Sequence, residues 1–207
     1  MLDLRAPALP PSLGRRLGND EYLRDFRARD VRIRDGSSWK LERRQHFEEF
    51  GNPSREALRR GDWDAALRAL GENREGLRRV QAEEEARGAV FHRVRVVQEP
   101  LTPYVQWELH ALRLSAEFGE RVRVLPAEAV ARDEHDGLLP ELTVQDDRVL
   151  FHVQYTPAGV PDGAVRYAEP TVVEPWTAYL RQAYAAAEDI GSYFRHSVAP
   201  LPPPPAA

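Results

Sequence analysis

The sequence predicts an α/β fold: a mixed sheet that contains a βαβ unit and is packed by helices, with a helical N-terminal portion. The main observation is a repeat, since Arg-Val-Arg-Val occurs at 93–96 and again at 121–124. Alternating apolar and basic residues are typical of a half-exposed strand. The segment between the two runs has helical character and the length that a crossover between parallel strands requires. The runs are therefore predicted to be parallel strands joined by a helix.

The crossover helix has a clear start and a clear end. Thr102 is a suitable N-cap, Pro103 suits the first helical position, and Gly119 is expected to end the helix. Its apolar residues indicate one buried side: Tyr104, Trp107, Leu109, Leu112 and Leu114. This side is predicted to pack against the sheet.

The residues before the βαβ unit are predicted to be mainly helical. Residues 19–30 have the pattern of a short capped helix, and residues 53–88 carry an apolar stripe at helical spacings that ends at Gly88. Residues 37–47 satisfy neither the helical nor the strand period well. A strand is the preferred interpretation there, and a helix remains the alternative.

The residues after the βαβ unit add a hairpin and a final helix. Residues 127–133 are predicted to form a short helix, and residues 141–155 a hairpin that turns at Asp146-Asp147. This acidic pair suits a hard cation as well as a turn, and the turn is favoured because no further acid joins it. Residues 174–194 are predicted to be the last helix.

One domain is expected between two irregular ends. Residues 1–18 are predicted to be a flexible segment, residues 19–195 a single α/β domain, and residues 196–207 a Pro-rich disordered tail. Within the domain, the helical portion extends to about residue 88, and residues 89–195 form the βαβ-hairpin-α portion.

Composition narrows the functional classes. The formal net charge is −4 over 207 residues, and no helix-turn-helix pattern is recognisable, so direct DNA binding is not expected. The chain has no cysteine and no long apolar run, which predicts a cytoplasmic protein without membrane spans. Neither a nucleotide-binding glycine motif nor metal-ligand spacing of histidines occurs, so no cofactor and no metal are predicted.

Six residues form the candidate binding site. Glu99 should lie at the carboxyl end of the first strand, where open α/β sheets bind ligands, and Glu108 lies one helical turn after Tyr104. Arg93 and Arg95 belong to the same strand, and Glu42 lines the same crevice if residues 37–47 are a strand. These side chains would hold a polar ligand or a partner segment. A salt bridge that fixes the helix to the sheet is the competing interpretation.

Three stretches carry a resemblance to a known family. They are RVRVVQEPLTPYVQWE, GERVRVLP and LTVQDDRVLFH, and within residues 37–194 they resemble an uncharacterised actinobacterial family. Genes of that family often lie beside helix-turn-helix regulators, so the resemblance implies a regulator protein as partner.

The order of elements is also distantly similar to one half of a phospholipase D-like fold. That chemistry needs a histidine nucleophile two residues before a lysine, whereas Ser38 stands at this spacing before Lys40, the sole lysine. The resemblance therefore implies the fold without the activity.

The predicted function is a non-catalytic regulatory module that binds a small ligand or a protein partner and acts with a separate helix-turn-helix regulator. The alternative is an enzyme that processes a phosphoester or nucleotide. In that case Glu99 or Glu108 would act as the base, and Arg93 or Arg95 would hold the phosphate.

Overall fold

The computed structural model describes residues 5–135 and 137–205, and within them the chain forms a single mixed sheet with helices packed on it. The strands are β1 (Arg15–Leu17), β2 (Ser37–Glu42), β3 (Val90–Val97), β4 (Arg121–Pro126), β5 (Leu142–Gln145), β6 (Val149–Tyr155), β7 (Pro161–Tyr167) and β8 (Glu188–Asp189). The α-helices are α1 (Asn19–Asp30), α2 (Pro53–Arg59), α3 (Trp63–Glu72), α4 (Arg74–Arg87), α5 (Pro103–Glu117), α6 (Pro170–Ala186) and α7 (Ile190–Tyr193).

The sheet has the strand order β1-β7-β6-β5-β2-β3-β4-β8. The three central strands β2, β3 and β4 are parallel, and the outer strands pair antiparallel. Because β3 and β4 are neighbours joined by α5, the repeated Arg-Val-Arg-Val runs form the predicted βαβ unit. The predicted α/β fold with a mixed, helix-packed sheet is confirmed.

The two faces of the sheet differ in chemistry. One face is apolar and packs against α6; its main contributors are Leu41, Val94, Val96, Leu142, Val144, Leu150, Trp176, Tyr179 and Leu180. On β2 and β3 the register pairs Lys40 with Arg93 and Glu42 with Arg95, so these four residues share the opposite face. On β5 the same face carries Thr143 and Gln145, which pair with Lys40 and Ser38 of β2. We call this the polar face.

Helices α1 and α5 cover different parts of the polar face. Tyr22 and Phe26 of α1 pack against Phe151 of β6. The buried side of α5 packs with residues of β3 and β4, among them Val97, Val122 and Val124. The polar residues of the central strands therefore lie beneath helices instead of facing solvent.

Local sequence signals explain several boundaries. The Thr102 hydroxyl accepts a hydrogen bond from the Val105 amide at 3.1 Å, so the predicted N-cap of α5 is confirmed. Gly88 follows α4 with a φ of 62°, as a helix-ending glycine does. Asp146 and Asp147 have φ angles of 51° and 54°, which confirms the predicted turn.

Some predicted elements differ from those observed. The helical stretch 53–88 consists of three helices, and the strand predicted over 37–47 ends at Glu42, after which the chain leaves the sheet. Residues 127–133 form two short 3-10 turns. In place of the helix predicted over 174–194, α6 begins at Pro170, whose fixed φ suits the first helical turn, and ends at Ala186. β8 then pairs with β4, and α7 follows as a separate short helix.

Strands β1, β7 and β8 are not among the strands that the sequence predicts. β7 lies within residues 156–173, for which the sequence predicts no regular element, and β1 lies in the segment expected to be flexible, yet the two strands pair with each other. In the expected tail, the Pro202 carbonyl accepts a hydrogen bond from the Gln106 side chain at 2.8 Å. Tertiary contacts of this kind leave no local signal in the sequence.

Among the residues that the structure describes, no helix combines the length and apolar character that crossing a membrane requires. The likeness to one half of a phospholipase D-like fold stays a prediction.

Gly163→Ala should destabilise the protein by more than about 1 kcal/mol, because Gly163 has a φ of 72° and an added Cβ would lie 2.2 Å from the Leu17 carbonyl oxygen. Urea unfolding measures the loss. Gly71→Ala is the control, since its Cβ meets nothing within 4 Å and alanine favours the helix interior. Equal stability of the two variants would contradict the observed pairing of β1 with β7.

Candidate functional site

The polar face carries an ion-pair network at its centre. Glu42 accepts from two cations, with Lys40 Nζ at 2.5 Å from Oε1 and Arg93 Nη1 at 2.7 Å from Oε2. Arg93 Nε also lies 2.5 Å from Glu120 Oε1. The network joins β2 and β3 to the residue that precedes β4.

A second ion pair joins the sheet to α5. Arg95 is fully buried, and its Nε lies 2.6 Å from Glu108 Oε2. Its Nη1 donates to the backbone carbonyls of Glu42 and Val96, while Nη2 is buried without a hydrogen-bond partner among the described residues. Arg95 therefore fixes α5 against β3, as the salt-bridge interpretation predicts.

Tyr104 and Glu108 lie on the same side of α5, as their spacing predicts. The Tyr104 hydroxyl donates to Glu49 Oε1 at 2.7 Å and lies 3.4 Å from Glu108 Oε1. Glu49 also accepts from the Asn52 side chain at 2.8 Å. The segment between β2 and α2 is thereby attached to the crossover helix.

These groups border a cavity of about 380 Å³, which we call the ionic cavity. Its charged lining consists of two cations, Lys40 and Arg93, and four carboxylates, Glu42, Glu48, Glu49 and Glu108. Its aromatic lining consists of Phe47, Tyr104, Trp107 and Tyr155. A second cavity of about 460 Å³ shares Asn52, Leu70, Asn73 and Ala111 with it and continues between α3 and α5.

Four of the six predicted site residues line this cavity: Glu42, Arg93, Tyr104 and Glu108. Arg95 lies beneath the lining, where it holds Glu108. Glu99 is exposed outside the cavity and accepts a hydrogen bond from Tyr193 at 3.3 Å. The cavity lies on a face of the sheet and not in a crevice beyond the strand ends, and this explains why Glu99 lies apart.

Several residues that line the cavity are not among those that the sequence predicts for the site. Lys40 lies two residues before Glu42 on the same strand, so strand periodicity could have placed both on one face. Glu48 and Glu49 follow the strand in an irregular segment, where no periodicity indicates direction. Arg43 and Arg44, which follow Glu42, bond outside the cavity, to Glu134 and to the backbone carbonyls of residues 156 and 157 respectively.

The carboxylates of the polar face differ in their pKa values. Burial raises the pKa of Glu108 to about 7, although the charge of Arg95 acts in the opposite direction. Burial also raises the pKa of Glu141 to about 7, even though Oε1 accepts from the amides of Arg43 and Arg44. For Glu42, burial is outweighed by the charges of Arg93 and Lys40, which hold its pKa well below the usual range.

Within residues 5–135 and 137–205, no group of three histidine, aspartate or glutamate side chains is arranged to hold a metal ion. Asp146 and Asp147, the acidic pair considered for a cation, instead face arginines, with Arg148 Nε at 3.4 Å and Arg181 Nη2 at 2.6 Å respectively.

The fold and site define an α/β protein with a charged, aromatic-walled cavity beneath its crossover helix. Residues 25–195 match a family described as a domain of unknown function, DUF6879, and the chain belongs to that family. No curated protein matches the chain.

Arg95→Ala should lower the free energy of unfolding by about 3–5 kcal/mol, because it leaves the Glu108 carboxylate buried without its partner. The double variant Arg95→Met/Glu108→Leu should recover most of the loss, since both charges leave the interior. Arg78→Ala is the control, because Arg78 pairs with Glu75 on the exposed side of α4 and should cost less than about 1 kcal/mol. Urea unfolding of all three variants measures the change in the free energy of unfolding. A loss in Arg95→Ala as small as the loss in Arg78→Ala would contradict the role of Arg95 in fixing α5.

The buried carboxyl group of Glu141 should contribute a fall in stability as the pH rises from about 4.5 to about 7. Glu141 has a folded-state pKa above its usual 4.5, so in this range the folded state holds the proton more tightly than the unfolded state. Glu141→Gln should reduce this fall, whereas Glu128→Gln, at an exposed position, should leave it unchanged. Chemical unfolding at several pH values measures the difference, and identical pH profiles for wild type and Glu141→Gln would exclude the effect.

Proposed function

We propose that the protein is a non-catalytic regulatory module that binds a small polar ligand in the ionic cavity. The observation that carries this proposal is the lining, which places cations and carboxylates opposite aromatic rings in one space of about 380 Å³. Small-molecule sites typically combine a few polar groups in fixed positions with aromatic side chains. A ligand that carries both an anionic and a cationic group would match this lining.

A binding role is favoured over catalysis by the pairing of the charged groups. Glu42, Glu48 and Glu108 each form an ion pair with a cation within hydrogen-bond distance. Such groups are held in place for recognition, whereas a general base needs access to the substrate proton. Lys40 is the most available donor, since its ammonium contacts Glu42 alone among the described residues and its side chain is about a quarter exposed.

The regulatory part of the proposal rests on the sequence resemblance, which implies a helix-turn-helix regulator as partner. Helix α4 is the element through which a bound ligand would affect binding of the partner. Its residues are half-buried or exposed, and Leu77 lines the second cavity, which shares four lining residues with the ionic cavity. A ligand that fills these cavities would contact the inner side of α4 and leave its outer side for the partner.

An enzyme acting on a phosphoester or nucleotide is the second candidate. The raised pKa of Glu108, about 7, favours it, because an acid-base group works best near the ambient pH. Arg93 lines the cavity, but the positions of Arg95 and Glu99 disfavour the enzyme. Arg95 is fully buried and Glu99 is outside the cavity, so neither faces a phosphate held there. Release of phosphate from p-nitrophenyl phosphate or from nucleotides, abolished in Glu108→Gln, would favour the enzyme.

Ala111→Phe should block ligand binding, because Ala111 lines both adjoining cavities and carries no charge. A panel of free amino acids, amines and carboxylates is tested for a rise in the thermal midpoint, since a ligand stabilises the folded state to which it binds. We expect a zwitterionic compound to raise the wild-type midpoint, with at least tenfold weaker binding in Ala111→Phe and in Lys40→Met. Ala185→Phe, at an exposed position of α6, should bind as wild type does.

A parallel pull-down from native cells tests the partner. Recovery of a regulator protein by wild type and Ala185→Phe, with altered recovery by Ala111→Phe, would support the regulatory module. If no compound raises the midpoint and the pull-down does not depend on residue 111, the proposal is wrong.

A further inference from the structure

A separate cavity of about 180 Å³ lies between the end of α1 and the turn of the β5-β6 hairpin. Its lining consists of Arg29, Arg32, Ile33, Gln145, Asp146, Arg148 and Val149, and it shares no lining residue with the ionic cavity. Three guanidinium groups thus face one carboxylate. We call it the hairpin cavity.

The guanidinium groups keep donors free for a ligand. Arg29 uses Nε on Asp25 at 2.8 Å, but Asp25 is shared with Arg166, whose Nη1 lies 3.0 Å from it. Arg148 has an exposed side chain and makes one long contact, from Nε to Asp146 at 3.4 Å. The Arg32 side chain makes no hydrogen bond or ion pair with the residues that the structure describes. Positive charge in this cavity is therefore incompletely balanced.

Gln145 adds an acceptor that lacks a donor. Its side chain is 2% exposed, and Nε2 donates to the Phe26 carbonyl at 3.2 Å. This hydrogen bond fixes the orientation of the amide, because a carbonyl requires a donor. Gln145 Oε1 is then buried without a hydrogen-bond partner among the described residues, an arrangement that costs free energy unless a ligand or water supplies the proton.

We propose that the hairpin cavity binds the phosphate group of a small molecule that also offers an O–H donor. The guanidinium groups of Arg29, Arg32 and Arg148 donate to the phosphate oxygens, which planar guanidinium groups bind well. The O–H donates to Gln145 Oε1. Free hydrogen phosphate and a hydroxyl-bearing phosphomonoester share this chemistry.

Because Gln145 Oε1 lacks a donor, the hairpin cavity should distinguish hydrogen phosphate from sulfate. Sulfate has the shape and charge of hydrogen phosphate but carries no proton at neutral pH. A site that recognises only negative charge would bind sulfate and hydrogen phosphate with equal affinity. A site with a buried acceptor binds sulfate more weakly, because sulfate has no proton to donate to that acceptor.

Isothermal titration calorimetry at pH 7 and low salt tests this with inorganic phosphate, sulfate and ribose 5-phosphate. We expect binding of phosphate or ribose 5-phosphate at least about tenfold tighter than that of sulfate, equivalent to one hydrogen bond. Tighter binding of ribose 5-phosphate would identify a phosphorylated metabolite as the ligand, and tighter binding of inorganic phosphate would identify the free ion.

Charge-matched variants locate the site. Arg32→Ala and Arg148→Ala should each weaken binding of the preferred probe about tenfold. Arg24→Ala removes the same charge from an exposed position of α1 outside the cavity and should leave binding within about twofold of wild type. Gln145→Met should abolish the preference over sulfate, and the surface arginine variants keep the test valid if Gln145→Met does not fold.

Three results would overturn the proposal. They are the absence of heat with phosphate and ribose 5-phosphate, equal affinity for sulfate, and a loss in Arg24→Ala as large as in Arg32→Ala. None of them bears on the ionic cavity, whose test uses other residues and other compounds.

Discussion

The structure depends on the burial of one guanidinium group. Arg95 lies in the middle of a central strand and is fully buried, so its charge requires partners inside the protein. Glu108 of α5 and the carbonyls of β2 and β3 supply them. A shift of the helix along the sheet would leave this charge unpaired. The ion pair therefore sets the position of α5, and with it the ionic cavity, while the apolar side of the helix packs on β3 and β4.

The two faces of the sheet differ in how closely their side chains pack. Beneath α6 the core is apolar and closely packed, with Trp176, Tyr179 and Leu180 almost without exposure. On the polar face, long charged side chains must keep their hydrogen-bond geometry and do not interdigitate in the same way, and cavities remain between them. Apolar residues of similar volume often stabilise a core at least as well as a buried ion pair, so stability alone does not account for the buried charges.

The structural features that the sequence predicts correctly are those that depend on local residue preferences or on regular residue spacing. The repeated Arg-Val-Arg-Val strands, the Thr102 cap and the Asp146-Asp147 turn are such features, and so is the placement of Tyr104 and Glu108 one turn apart. The sequence places Glu99 in the site because it follows the end of a strand, but its side chain contacts Tyr193 of α7 instead, and no residue pattern indicates that direction. β1 and β7 were missed for a related reason: their pairing is set by contacts between residues far apart in sequence, and Pro161 and Gly163 resemble a loop.

The two proposed sites lie on one polar face and share a strand pair. Lys40 pairs with Thr143 and Ser38 with Gln145, so β2 carries residues of the ionic cavity while β5 carries the acceptor of the hairpin cavity. A register shift of one residue would turn all of these side chains to the apolar face, beneath α6. Each ligand would therefore stabilise the same strand register. Coupling between the sites requires an element with two arrangements, and the β2-β5 pair, which is central and hydrogen-bonded along its length, favours independent binding at both sites.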